Sequence, residues 1–148
     1  MTFRNLIGDP TKLKRQGYEP DLHGARMGPT KLEDFDATHV LGRGNHAMVL
    51  QGRQISTGKV CALKVMQKEA IVAKGEVPHV LEEAALLKQI NHLCITKLFG
   101  TIVTPGCLIL VMEPCPVGDL FDLLQMSESQ FDVPRARILS AQVCKGTY

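Results

Sequence analysis

Lys64 stands inside an otherwise apolar run, Val60-Cys61-Ala62-Leu63-Lys64-Val65-Met66. It falls 22 positions after Gly42, in the segment Leu41-Gly42-Arg43-Gly44-Asn45-His46-Ala47-Met48-Val49. Glycines take backbone angles that side chains forbid and let amides approach a phosphate closely, and an ammonium in an apolar strand can meet the same anion. Together they suit the binding of phosphate groups. Each half also has a plainer reading. A Gly-x-Gly between two strands is an ordinary hairpin turn, and a strand lysine can face water. An inward lysine needs an anionic partner, because an unpaired buried charge is very costly. Glu83 is the candidate: it interrupts the apolar face that Val80, Leu87 and Ile90 form at helical spacing, whereas Glu82 points elsewhere. Glu83 also fits a boundary position in water. The lysine and the glutamate explain each other if strand and helix pack together, and the pair then fixes the ammonium beside bound phosphates.

A second group of residues lies further on. Met112-Glu113-Pro114-Cys115 follows an apolar strand. It reads as a plain strand end, or as a hinge whose Glu113 carbonyl and Cys115 amide pair with adenine. Pro114 has no amide to give, and that position needs none. Asp119 opens a helix, either as a capping carboxylate or facing ribose hydroxyls. The chain shows no convincing metal cluster or nucleophile triad.

The elements that must position these groups are legible as alternating strand and helix signals. Strands are expected near 35–42, 47–54, 58–66, 97–103 and 107–113, with Ser56-Thr57-Gly58-Lys59 and Thr104-Pro105-Gly106 as turns. A short helical or linking stretch covers 67–75 and an amphipathic helix 77–91. Further helices are expected at about 119–126 and from Pro134, a good first helical residue. The pattern predicts an α+β fold: a twisted five-stranded antiparallel sheet packed on one inserted helix. Residues 1–32, with several Pro and Gly and little periodicity, read as a mobile extension, 33–113 as the sheet-bearing unit, and 114–148 as a connector with the start of a second, incomplete unit.

Composition narrows the function classes. The chain has 148 residues, 45% of them hydrophobic, enough for one domain with a real core. A net charge of +2 gives no strong pull toward nucleic acid or anionic membrane. Residues 1–32 hold six basic and three acidic groups, which reads as a solvated tail. Five cysteines, odd in number and without metal-ligand spacing, read as reduced thiols of a cytoplasmic protein. No signal peptide or membrane-spanning run is apparent.

From about Leu32 the chain resembles a eukaryotic serine/threonine protein kinase, of the group containing the cyclic-nucleotide-dependent kinases and their relatives. Four ordered motifs carry the resemblance. They are Glu33-Asp34-Phe35 leading into Val40-Leu41-Gly42-Arg43-Gly44; Lys64 and Glu83, 19 positions apart; Met112-Glu113-Pro114-Cys115-Pro116 with Gly118-Asp119-Leu120-Phe121; and Phe131 followed by Pro134-Arg135-Ala136-Arg137 and Ala141-Gln142. The resemblance implies a kinase small lobe, a hinge and the first large-lobe helices. It implies ATP as the nucleotide and a protein substrate. Leu41 and Val49 would cover the adenine with Ala62 below, and the loop from Gly42 through Arg43, Gly44, Asn45, His46 and Ala47 to Met48 would cover the phosphates. Lys64 would hold the α and β phosphates and Glu83 would hold Lys64. Met112 would be the gatekeeper, and Leu87 and Leu98 would join an apolar column between helix and sheet. His79 matches a position that contacts an activation-loop phosphate in this group, but also fits an exposed helix start.

The chain departs from that pattern in several places. Ala47 stands at the third glycine position, His46 where an aromatic ring is usual, and Val117 at a hinge glycine. No His-Arg-Asp, Asp-Phe-Gly or Ala-Pro-Glu segment occurs, so the base and the magnesium ligands of a complete kinase are missing. The expectation is a truncated chain that does not catalyse transfer alone. Ile138, Leu139 and Val143 on its last helix are expected to lack cover and to seek a partner. The alternative is a non-catalytic binding or interfering module.

Overall fold

The computed structural model describes residues 31–44, 47–115, 120 and 133–147. After a 3-10 turn at Leu32–Asp34, five strands follow: β1 (Phe35–Arg43), β2 (Ala47–Gln54), β3 (Val60–Gln67), β4 (Leu98–Val103) and β5 (Cys107–Met112). Helices α1 (Lys68–Ala73) and α2 (Val77–Gln89) lie between β3 and β4, and α3 (Val133–Thr147) comes last. The sheet order is β1-β2-β3-β5-β4, antiparallel throughout. This is the expected α+β small lobe, with the short stretch after β3 helical. Of the helix expected at about 119–126 only Leu120 is described, and residues 1–30 of the extension expected over 1–32 lie outside the described residues.

The strand alternation divides the sheet into two apolar layers, because successive side chains on a strand point to opposite faces. Cys61, Leu63 and Val65 of β3 face one layer with Met48 and Leu50 of β2, Ile109 and Val111 of β5, Phe35 and Ile102. Met66 faces the other, with Leu110, Leu98, Ile71 of α1 and Ala84 of α2. Each fully buried aliphatic side chain contributes about 1.5–3 kcal/mol. Gly52 marks how tightly the first layer is filled. A Cβ there would fall 2.7 Å from Leu63 Cδ1 and 3.1 Å from Cys61 Sγ.

Two glycines turn the chain where only a left-handed backbone suffices. Gly58, at φ 71°, makes the β2–β3 turn. Gly75, at φ 68°, ends α1: its N–H donates to the Val72 carbonyl, and the Glu76 N–H donates to the Ile71 carbonyl. Pro78 then starts α2, where its missing N–H costs nothing. That helix is shorter than the periodicity suggests. Ile90 has extended backbone at ψ 132° and is exposed, so it is not part of the packing face. The fully buried contact is Ala84, flanked by half-buried Val80 and Leu87.

Candidate functional site

Lys64 occupies the middle of β3, on the same face as Ala62 and Met66. Its cross-strand partners are Val49 on β2 and Leu110 on β5, and Val49 in turn pairs with Gly42 on β1. Gly42, Val49 and Lys64 thus form one row across the sheet. The next row on that face holds Gln51, Ala62, Met112 and Leu98. Residues far apart in sequence are brought together by register alone, and a one-residue slip would send the whole set to the other face.

The expected ion pair is present. Lys64 Nζ donates to Glu83 Oε1 at 2.6 Å, joining the sheet to α2. The side chains keep 25% and 40% of their surface exposed. At such exposure a pair adds only about 0–1 kcal/mol to stability, so its significance is positional. It fixes the ammonium between sheet and helix while leaving donors for a further anion. Ala84, next to Glu83, lets α2 sit close to the sheet. Its spacing from Val80 and Leu87 was the available signal for that contact.

The Gly-rich turn works differently from the sequence expectation. β1 runs through Arg43 and β2 resumes at Ala47, with the Gly44 N–H donating to the Ala47 carbonyl at 2.8 Å. Neither Gly42 nor Gly44 has positive φ, so the turn does not require glycine for its angles there. What Gly42 supplies is room: a Cβ added to it would have nothing within 4 Å. Leu41 sits at the register shift between Val40 and Gly42, 45% exposed, as an apolar flap beside that space. The Met48 side chain is buried in the opposite core layer, so only its backbone is available to the site. Asn45, His46 and Asp119 lie outside the described residues, as do Pro116 and Val117.

At the end of β5, Met112 is half-buried against the second core layer with Leu87, and Leu98 is buried there. Glu113 is tied to the segment before β4 at two points. Its N–H donates to the Lys97 carbonyl at 2.9 Å, and its Oε2 accepts from the Lys97 N–H at 3.2 Å. Pro114 is buried and Cys115 exposed. His79 is exposed at the start of α2. On α3, Ile138 and Val143 are 60% and 68% exposed and Leu139 is half-buried. The end of that helix approaches the loop after α2, where a Cβ at Gly146 would lie 3.5 Å from the Cys94 carbonyl oxygen. Among the described residues no three His, Cys, Asp or Glu side chains are grouped to hold a metal ion. No helix there is long and apolar enough to cross a membrane.

A sheet of this order, with a strand lysine paired to a helix glutamate beside an open glycine turn, is the small-lobe architecture of a protein kinase. The sequence pattern of the protein kinase domain matches residues 35–148, and the chain belongs to that family. Its relatives are serine/threonine kinases. It is 40% identical over 113 residues to the serine/threonine protein kinase ypkA of Aspergillus fumigatus, covering 76% of this chain and 18% of that protein. It is 39% identical over 111 residues to human serine/threonine-protein kinase Sgk2, covering 74% of this chain and 30% of the relative. The rat RAC-beta serine/threonine-protein kinase is 37% identical over 112 residues, 76% of this chain and 23% of its own length. The chain therefore spans between 18% and 30% of the length of these relatives.

Proposed function

We propose that the chain is the ATP-binding part of a serine/threonine protein kinase, of the group containing the cyclic-nucleotide-dependent kinases and their relatives. The observation that carries this reading is the 2.6 Å Lys64–Glu83 contact on the row that begins at the open Gly42 turn. Lys64 holds the α and β phosphates, Glu83 orients Lys64, and the backbone from Gly42 to Met48 covers the phosphates. Leu41, Val49 and Ala62 enclose the adenine, Met112 limits the depth of the pocket, and the Glu113 carbonyl and Cys115 amide meet the base edge. Asp119 faces the ribose. Bound ATP supplies the γ-phosphoryl group that the complete cytoplasmic kinase transfers to a protein hydroxyl, with magnesium held by residues other than these.

The same reading predicts no turnover by these 148 residues alone, because no His-Arg-Asp or Asp-Phe-Gly segment is present to position the acceptor or hold the metal. Titration of the chain with a fluorescent ADP analogue tests the binding claim. Saturable binding that Lys64→Met removes is the expected result, and equal binding by both would refute the assigned role of Lys64. Phosphoryl transfer by the chain that Lys64→Met abolishes would refute its inactivity. The exposed apolar residues of α3 support a second reading, a non-catalytic module whose last helix is covered by a partner. The mass of the native protein, read with an antibody against the small lobe, separates the two. A band far above 16.3 kDa favours the kinase, and one at 16.3 kDa favours the module.

A further inference from the structure

Glu113 and Lys97 face each other one step beyond Leu98 and Met112, the final paired residues of β4 and β5. In a regular antiparallel ladder, two opposed residues exchange either both N–H···O=C bonds or neither. Here the first bond of such an exchange is made, from the Glu113 N–H to the Lys97 carbonyl at 2.9 Å. The second is diverted. The Lys97 N–H donates at 3.2 Å to Oε2 of the Glu113 side chain instead of to the Glu113 main-chain carbonyl. Among the described residues, no hydrogen bond is made to that carbonyl. A carboxylate is the stronger acceptor of the two, which accounts for the outcome of the competition. Pro114, next in the chain, is buried, and a proline disfavours helical backbone at the residue before it, which keeps Glu113 extended.

We propose that the Glu113 carboxylate is a positioning group for base recognition. By taking the second rung of the pair, it keeps the carbonyl of its own residue out of the ladder. That carbonyl is then an acceptor at the mouth of the row formed by Ala62 and Met112. The chemistry it selects is a purine carrying an N–H donor on its outer edge, as the 6-amino group of adenine does. A purine with hydrogen at that position forgoes the bond, and one with a carbonyl there opposes acceptor to acceptor. Without the carboxylate, the Lys97 N–H takes the main-chain carbonyl, because a partly buried N–H does not stay unpaired. The inference rests on the nucleotide-binding reading of the site, and it assigns to a side chain a task that reading gives only to the backbone.

The test compares the 148-residue chain with Glu113→Ala and Glu113→Gln, using ADP and the diphosphate of purine riboside, which lacks the 6-amino group. The parent should prefer ADP. In Glu113→Ala that preference, taken as the ratio of the two affinities, should fall about 3- to 10-fold, the worth of one hydrogen bond. Glu113→Gln should restore the preference, because its amide oxygen can accept the same bond. A direct reading comes from scalar coupling across the hydrogen bond. In the parent the Lys97 nitrogen should couple to Glu113 Cδ, and in Glu113→Ala to the main-chain carbonyl carbon of residue 113. An unchanged preference in Glu113→Ala, or coupling to the main-chain carbonyl in the parent, would overturn the inference alone. Failure of the parent to bind either diphosphate would overturn the nucleotide reading and this inference with it.

Discussion

The two faces of β3 differ in what they tolerate. Cys61, Leu63 and Val65 point into a layer with essentially no solvent contact, whereas Lys64, between two of them in sequence, keeps a quarter of its side chain in water. The first face is filled so closely that Gly52 cannot take a methyl without displacing Leu63. The second carries the ion pair and leaves space at Gly42. The first face is closed core along its length, whereas the second is core at Met66 and Leu110 and half-exposed at the ion pair. A buried methylene is worth its full transfer free energy, while a half-exposed ion pair is offset by hydration.

The sharpest way to break the comparison is Leu63→Ala. Leu63 is 0% exposed, and its loss should cost about 2–5 kcal/mol in urea unfolding. Folded molecules should retain their nucleotide affinity. An affinity change larger than the stability change would show that the faces are not independent. Gly52→Ala should cost about 1–3 kcal/mol through overpacking against Leu63 and Cys61. Gly42→Ala, with open space and no positive φ, should stay within about 0.5 kcal/mol while weakening phosphate binding. Equal stability losses at the two glycines would contradict the packing assigned to them.

Lys64→Met and Glu83→Gln should each change stability by no more than about 1 kcal/mol, yet remove or weaken nucleotide binding. A loss of several kcal/mol would mean that the pair is structural. The smallest effect concerns Cys61, whose thiol burial pushes up from 9.0 to about 12. A raised pKa in the folded state favours the protonated thiol there. Its contribution is complete below pH 9 and is lost as pH rises from 9 toward about 12. Cys61→Ala should therefore flatten the alkaline limb of the stability curve. At pH 8 in the folded protein, a thiol reagent should modify exposed Cys94, Cys115 and Cys144 and spare Cys61.

Much of this arrangement was readable in the chain. The strand expected over 58–66 is found at Val60–Gln67, and the pairing of Lys64 with Glu83 was anticipated from a lysine in an apolar strand and a glutamate that interrupts an apolar helix face. The Gly58 turn was readable because only glycine suits its backbone. The reading failed where packing rather than local pattern decides. Periodicity carried α2 to Ile90, but the backbone becomes extended there and the residue is exposed. Met48 closed the expected phosphate loop, and strand alternation places its side chain in the core. Ala84 was overlooked because a small side chain gives a weak hydrophobic signal, although its smallness is what lets the helix approach.

What the sequence determined by itself is the set of elements and the types of group they carry, since turn residues, apolar alternation and helical spacing act locally. The tertiary structure decided register and therefore company. It placed Gly42, Val49 and Lys64 in one row, turned Lys64 toward Glu83, and left the Gly42 space open. It also decided that the Lys97 N–H meets the carboxylate of Glu113 and not its carbonyl. Register depends on the whole sheet burying its two layers at once, and no single segment encodes that condition.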